Sequence, residues 1–288
     1  MNELTRRLKS RLVPGAGLLI PGAANALAAR IIAGAGFEAV YLTGAGVANS
    51  HLGVPDIGLT SVTELAEHVS ALREAVDIPI VADGDTGFGN ALNMRRTVRL
   101  YERAGANAIQ IEDQLFPKRC GHFEGKSVVP KDEMVQKVKA AVDARQDGML
   151  IIARTDARAM EGMSAAIDRV NAYREAGADV LFLEAPVNEA ELASITKQVP
   201  GPHIANLVFG GKTPMLPREK LAEMGFAGIL YANALLQASM IAMQKVAGHL
   251  KAHGSLAGAE ASVISFAERQ KLVDHAHYQE LEKRYAGG

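Results

Sequence analysis

Ala104-Gly105-Ala106-Asn107-Ala108-Ile109-Gln110-Ile111 is the stretch on which the fold turns, because the same unit recurs along the chain. A helix-like segment ends in glycine, two or three residues follow, and an apolar run begins. The unit reads Ala35-Gly36-Phe37-Glu38-Ala39-Val40-Tyr41-Leu42 earlier and Ala176-Gly177-Ala178-Asp179-Val180-Leu181-Phe182-Leu183 later, with a fainter copy around Met224-Gly225-Phe226. Glycine after a helix supplies the left-handed cap, and an uninterrupted apolar run is a strand buried on both faces.

Counting every such run gives eight, at 17–21, 39–43, 79–83, 108–112, 149–154, 180–184, 203–207 and 228–232. Helical patterns lie between them. Leu65, Val69, Leu72 and Val76 form one stripe, opened by a Ser61-Val62-Thr63-Glu64 capping box. Val135, Val138 and Val142 form a second after Pro130, and Ile167 and Val170 lie on a third. Eight alternations predict a parallel sheet closed into a (β/α)8 TIM-type barrel. An open doubly wound sheet would have fewer strands and a glycine-rich first turn. The nearest lookalike, Gly44-Ala45-Gly46-Val47-Ala48-Asn49, misses its last glycine and follows the second strand. Helical spacing continues at Ala234 to His253 and Phe266 to Tyr285. The expected organisation is one barrel domain over 1–288, with C-terminal helices from about 234 to 288 packed on a partner subunit.

With 288 residues, 48% hydrophobic and a net charge of -1, the chain suits a soluble barrel and offers no basic patch for nucleic acid or a membrane surface. A single cysteine, Cys120, excludes an internal disulfide and a cysteine-only zinc site. Met1 to Leu12 alternates charge with leucine, unlike a signal peptide. The longest apolar stretch, Gly228 to Met243, is interrupted by Asn233, Gln237 and Ser239 and is too short to span a bilayer. A cytoplasmic location is expected.

Polar residues gather at the strand ends. Seven residues past the repeat glycines stand Thr43, Glu112, Glu184 and Ala232, and other strand ends add Asp83, Asp85, Arg154, Asp156 and Asn206. In a closed parallel barrel these ends converge on one mouth. Asp83, Asp85, Glu112 and Glu184 would repel one another there unless a cation sat among them. Hard oxygens without histidine or cysteine favour magnesium, with manganese as the alternative ion. One such acid would be read as a helix cap or a salt bridge to Arg154; four on one rim favour the metal. The loop Phe116-Pro117-Lys118-Arg119-Cys120-Gly121-His122-Phe123-Glu124-Gly125-Lys126 is expected to fold over the mouth as a lid. Its thiol, flanked by Lys118, Arg119 and His122, is expected to titrate below the free value of about 8.5 and to exchange protons with a carbon acid. Asp56 adds an acid from the loop after the second strand.

Asp83-Gly84-Asp85-Thr86-Gly87-Phe88-Gly89, Ile111-Glu112-Asp113-Gln114, Lys118-Arg119-Cys120-Gly121-His122 and Ala153-Arg154-Thr155-Asp156-Ala157 resemble the isocitrate lyase and phosphoenolpyruvate mutase superfamily, from about Pro21 to the C-terminus. The resemblance implies a magnesium-dependent barrel whose eighth helix is exchanged between subunits, giving a homo-oligomer built as a dimer of dimers. It implies that Asp85 binds the metal directly, with Asp56, Asp83 and Glu112 acting largely through water. Thr43, Gly44 and Ala45 would hold the carboxylate of a pyruvate-like moiety, and Arg154 would clamp a substrate carboxylate. Glu184 and Asn206 would line the far side. Lys118, Cys120 and His122 mark the branch that breaks carbon–carbon bonds. The implied reaction is retro-aldol cleavage of an alkylmalate-like or methylisocitrate-like 2-hydroxy di- or tricarboxylate, with Tyr41 as a candidate base and Cys120 as the proton donor. Asn206-Leu207-Val208-Phe209-Gly210-Gly211 departs from the Asn-Ile-Thr-Glu-Phe-Gly of the methylisocitrate-cleaving branch. Ala234-Leu235-Leu236-Gln237 likewise lacks an arginine found there. A more apolar wall implies a smaller or more alkylated substrate. The alternatives are a phosphonomutase or phosphonopyruvate-type enzyme of the same superfamily, for which Cys120 has no task, and a non-catalytic barrel, which has no reason to keep mutually repelling acids.

Overall fold

A computed structural model describes residues 1–121 and 125–286. Its eight strands are β1 (Leu18–Ala23), β2 (Val40–Leu42), β3 (Ile80–Asp83), β4 (Ala108–Glu112), β5 (Leu150–Thr155), β6 (Val180–Leu183), β7 (His203–Asn206) and β8 (Gly228–Tyr231). All pair in parallel in sequence order, and β8 returns to β1 to close the barrel. The repeat glycines adopt the expected left-handed backbone, with φ of 85° at Gly36, 99° at Gly105, 103° at Gly177 and 98° at Gly225. Without a Cβ they end each helix cheaply and turn the chain into the next strand.

Inward-facing residues of alternate strands fill the barrel. Leu18, Ile20, Val81, Ala108, Leu150, Ile152, Val180, Phe182 and Ile204 form one buried cluster. Leu8 and Leu12 join this cluster from the helix Glu3–Arg11 and its C-cap. The charged-and-leucine opening of the chain is thus an amphipathic helix that seals the barrel floor. Asn107 ties it down, donating to Thr5 Oγ1 at 3.0 Å and to Asn2 Oδ1 at 3.3 Å. Truncating one such leucine to alanine is expected to cost about 2–5 kcal/mol.

The capping box at Ser61 and Glu64 is present, and Leu65, Val69, Leu72 and Val76 are buried as the spacing predicts. The stripe after Pro130 is rotated from its expected register. Met134, Val138 and Ala141 face inward with the aliphatic stem of Lys137, while Val135 and Val142 are only half-buried. Three valines at helical spacing outweighed a methionine and small residues in the sequence pattern, yet a helix docked on its neighbours buries the narrower face.

Contacts divide the chain into Met1–Ala234 and Leu235–Gly288. The second unit carries most of the helix Ala234–His253, a short turn at Glu260–Ser262, and the helices Phe266–Leu272 and His275–Tyr285. None of its helices buries a residue, and Ile241, Phe266 and Tyr285 are 70%, 72% and 74% exposed. No helix among the described residues is long and apolar enough to cross a membrane.

Candidate active site

The C-terminal strand ends surround one cavity within the barrel unit. Its lining brings together Tyr41, Thr43, Ala45, Asp56, Asp83, Glu112, Lys118, Cys120, Arg154, Glu184 and Asn206, with Val208, Leu230, Ala232 and Asn233. Almost every residue singled out in the sequence therefore meets at one mouth. Gly44 and Asp85 lie just behind the lining. His122 lies outside the described residues.

The chain builds the acidic side by strained turns. Gly84 follows β3 where a Cβ would sit 2.8 Å from the Gln110 carbonyl and 2.7 Å from Ile109, so only glycine fits. Asp85 then takes a left-handed φ of 45°, a conformation aspartate tolerates better than most residues. Asp83 accepts from the N–H of Asp85 at 3.2 Å and from that of Gly44 at 3.1 Å. The Gly44 N–H is thus engaged with an acid, while Ala45 lines the cavity. Thr43 Oγ1 donates to Asn233 Oδ1 at 3.0 Å and accepts from Gly46 N–H at 3.1 Å, which orients its hydroxyl. Asn233, beyond β8, reads in the sequence only as an interruption of an apolar stretch and was not among the candidate site residues.

The salt-bridge alternative holds for part of the acid set. Arg154 lies 3.2 Å from Glu112 and 3.6 Å from Glu184, and its guanidinium stacks 5.3 Å from the Phe182 ring. Its firmest partner is Asp156, met through Nε at 2.9 Å and through the terminal nitrogen at 3.0 Å. Lys118 reaches Asp56 at 2.5 Å and Asp85 at 2.8 Å. Its ammonium is therefore committed to the acids, which spacing beside a thiol did not predict. Burial pushes the Glu112 carboxyl well above the usual range, against the pull of Arg154. Asp85 is pushed up to about 6, chiefly by burial, with Lys118 opposing and Asp83 and Asp56 adding to the rise. Burial, and then Asp83, also raise the Tyr41 phenol well above its ordinary value.

The donor set suits a hard cation. Asp85 Oδ1 and Glu112 Oε1 are buried without a hydrogen-bond partner, although the former lies within ion-pair distance of Lys118. Buried carboxylate oxygens that accept no hydrogen bond, in a cluster where Asp56, Asp83, Asp85 and Glu112 outnumber the cations Lys118 and Arg154, favour further positive charge. Among the described residues no three His, Cys, Asp or Glu side chains are placed to ligate an ion directly. An ion here would keep several waters, as magnesium does.

The described residues Lys118 to Gly121 of the loop after β4 lie against the cavity. Its stems pair at Gln114 and Val128, and Gln114 brackets Arg119 with bonds of 2.8 and 2.9 Å. The Cys120 N–H donates to the Asp56 carbonyl at 3.1 Å. At Gly121 a Cβ would fall 2.4 Å from an Arg154 nitrogen and 2.8 Å from Glu184 Cγ. Gly121→Ala is accordingly expected to leave the melting temperature within about 2 °C of wild type, because the change is at the mouth rather than the core. The same variant should lower turnover by at least about tenfold by lifting the thiol. Equal turnover would show that the loop need not sit so close.

The family is decided by the match of the phosphoenolpyruvate phosphomutase model over residues 8–251. The chain belongs to that family. It is an enzyme with lyases among its relatives. The chain is 44% identical to the 2,3-dimethylmalate lyase of Eubacterium barkeri, over 94% of each sequence. It is 40% identical to the 2-methylisocitrate lyase of Aeropyrum pernix, over 93% of this chain and 86% of that one. A phosphonopyruvate hydrolase solved with oxalate and Mg2+ superposes with a TM-score of 0.88 at 30% identity, covering 98% of this chain and 99% of the other.

Proposed function

We propose that this protein is a magnesium-dependent carbon–carbon lyase that splits a small 2-hydroxy dicarboxylate, an alkylmalate in preference to methylisocitrate, into a 2-oxo acid and a carboxylate. The observation that carries the reading is a single cavity lined at once by Asp56, Asp83 and Glu112, by Arg154, and by Cys120. Asp85 would hold magnesium directly, with Asp56, Asp83 and Glu112 holding its waters; manganese is the alternative ion. Bound there, the ion supplies Lewis-acid polarisation of the substrate's hydroxyl and carboxylate oxygens.

The chain's own groups account for the rest. Arg154 clamps one substrate carboxylate, and Thr43 with the Ala45 N–H takes the carboxylate of the nascent 2-oxo acid. Tyr41 is assigned as the base, acting as the phenolate that a cation among the neighbouring acids would favour. As the substrate's hydroxyl proton passes to Tyr41, the hydroxyl oxygen forms the carbonyl and the carbon–carbon electron pair passes to the departing carbon, where Cys120 delivers a proton. Lys118 balances the acids, and His122 is assigned to the same loop function. Glu184 and Asn206, joined at 3.3 Å, aim Arg154 from the far side. Val208, Leu230 and Ala232 offer an apolar surface to methyl groups, which favours an alkylated substrate.

A panel of 2-alkylmalates, methylisocitrate and isocitrate, assayed for 2-oxo acid release, tests this. Cleavage of an alkylmalate that is lost in chelator and restored by magnesium is expected. Full turnover in chelator would sink the metal assignment, and phosphonopyruvate turnover without any cleavage would favour phosphorus chemistry.

Assembly belongs to the same proposal. The apolar side chains of Leu235–Gly288 exceed what a solvated tail exposes, and a second copy of the chain would cover them in a dimer of dimers. Sedimentation of full-length protein at micromolar concentration should give a tetramer, and deletion of residues 255–288 should reduce it. A monomer in both cases would contradict the assignment.

A further inference from the structure

One buried lysine near the site has no place in that mechanism. Lys126 has a side chain only 1% exposed, and its ammonium donates to Asp156 Oδ1 at 2.7 Å. The same ammonium donates to the Gly121 carbonyl, the residue directly after Cys120. Asp156 is itself fully buried and holds Arg154 in a two-pronged pair at 2.9 and 3.0 Å. Its backbone N–H is anchored on Asp113 Oδ1 at 2.9 Å, and Asp113 is fixed in turn by Thr155 and Tyr173 at 2.7 Å each. Gly121 then rests on Arg154, where not even a methyl group would fit. The contacts make a ring from the Gly121 carbonyl through Lys126, Asp156 and Arg154 back to Gly121.

We propose that Lys126 and Asp156 are positioning residues that lock the Cys120–Gly121 turn to the Arg154 guanidinium, so that proton donor and carboxylate clamp meet the substrate in one fixed relation. Charge neutralisation alone would require the bond to Asp156. It would not require the bond to the Gly121 carbonyl, which closes the loop across five residues and leaves the charge balance untouched. Proton transfer is steep in distance, and a displacement of about 1 Å can cost on the order of a hundredfold in rate. A shared anchor for both groups guards against that loss.

The inference rests on the lyase reading for its catalytic consequence, but the lock itself can be read without turnover. Cys120 is the only cysteine in the chain, so iodoacetamide reports on it alone. In Lys126→Met, alkylation of Cys120 should accelerate on the order of tenfold, and oxalate should no longer slow it as in wild type. With a cleavable alkylmalate, kcat should fall on the order of tenfold to a hundredfold while KM moves by less than about threefold, since Arg154 keeps Asp156. A merely structural lysine would lower the melting temperature and leave both the alkylation rate and the kcat-to-KM split alone. Acceleration of less than about threefold would overturn the proposal. Should Lys126→Met fail to fold, Lys126→Arg keeps the charge but cannot place a compact ammonium between carboxylate and carbonyl. The same threshold then applies to it. If wild type cleaves no 2-hydroxy acid, the lyase reading fails, while the alkylation measurement still decides the lock.

Discussion

Asp85→Ala is expected to abolish turnover and magnesium binding while leaving a folded barrel that, stripped of metal, melts higher than wild type at pH 8. The side chain is buried among the polar groups at the barrel mouth and belongs to neither apolar core cluster, so its loss leaves the apolar packing intact. Its carboxyl is pushed up to about 6, first by burial, with Lys118 pulling down and Asp83 and Asp56 pushing up. An unfolded aspartate titrates near 3.9. The folded chain therefore holds this proton more tightly, and the stability so contributed is present below about pH 4 and lost as pH rises through 6. Two units correspond to roughly 3 kcal/mol. Part is offset because Lys118 would keep only Asp56. A gain of a few degrees at pH 8 in chelator is expected, shrinking toward pH 4. Magnesium should raise the melting temperature of wild type and leave the variant unmoved. A variant that still binds magnesium, or that turns over, would remove Asp85 from the metal site.

The fold was legible because closure of a parallel barrel repeats one grammar. Glycine cap, short turn and apolar run recur, and each observed strand starts and ends within two residues of its apolar run. The acids were legible for a related reason: Asp83, Glu112, Arg154 and Asn206 stand where an apolar run should have continued, and parallel topology sends all such ends to one mouth. What escaped was pairing. Lys118 reads as a neighbour of the thiol, yet Asp56 and Asp85 claim it across long stretches of chain. Lys126 reads as the last charge of the loop and Asp156 as one more strand-end acid, yet the two are buried together as a pair. The Asp113, Arg169 and Tyr173 cluster under the mouth was equally invisible, because three polar residues from a strand end and a helix share no period. Periodicity reports which face is buried; it carries nothing about which buried charges meet.

Cys120→Ser separates chemistry on carbon from chemistry on phosphorus. Serine nearly preserves shape but replaces a thiol, a group whose free value is about 8.5, with a hydroxyl that is a far weaker acid. If Cys120 protonates the departing carbon, cleavage of an alkylmalate should slow by at least the roughly hundredfold typical of a general acid. Binding of oxalate should survive, because Arg154, Thr43 and the metal acids that hold it are untouched. The fall should therefore lie in kcat, with KM little changed. A phosphoryl-transferring enzyme on the same barrel would respond otherwise. Its transition state asks for positioning and charge stabilisation and no proton on carbon, so Arg154 and the acids would carry it and the serine variant should match wild type. The measurement is paired: 2,3-dimethylmalate cleavage and phosphonopyruvate turnover in both proteins, with oxalate affinity as the control for an intact site. Loss of cleavage with oxalate binding retained places the thiol in the proton-transfer step. Phosphonopyruvate turnover indifferent to the substitution, with no 2-hydroxy acid cleaved by either protein, would overturn the lyase reading, because the cavity's cysteine would then be idle in the only reaction the site performs.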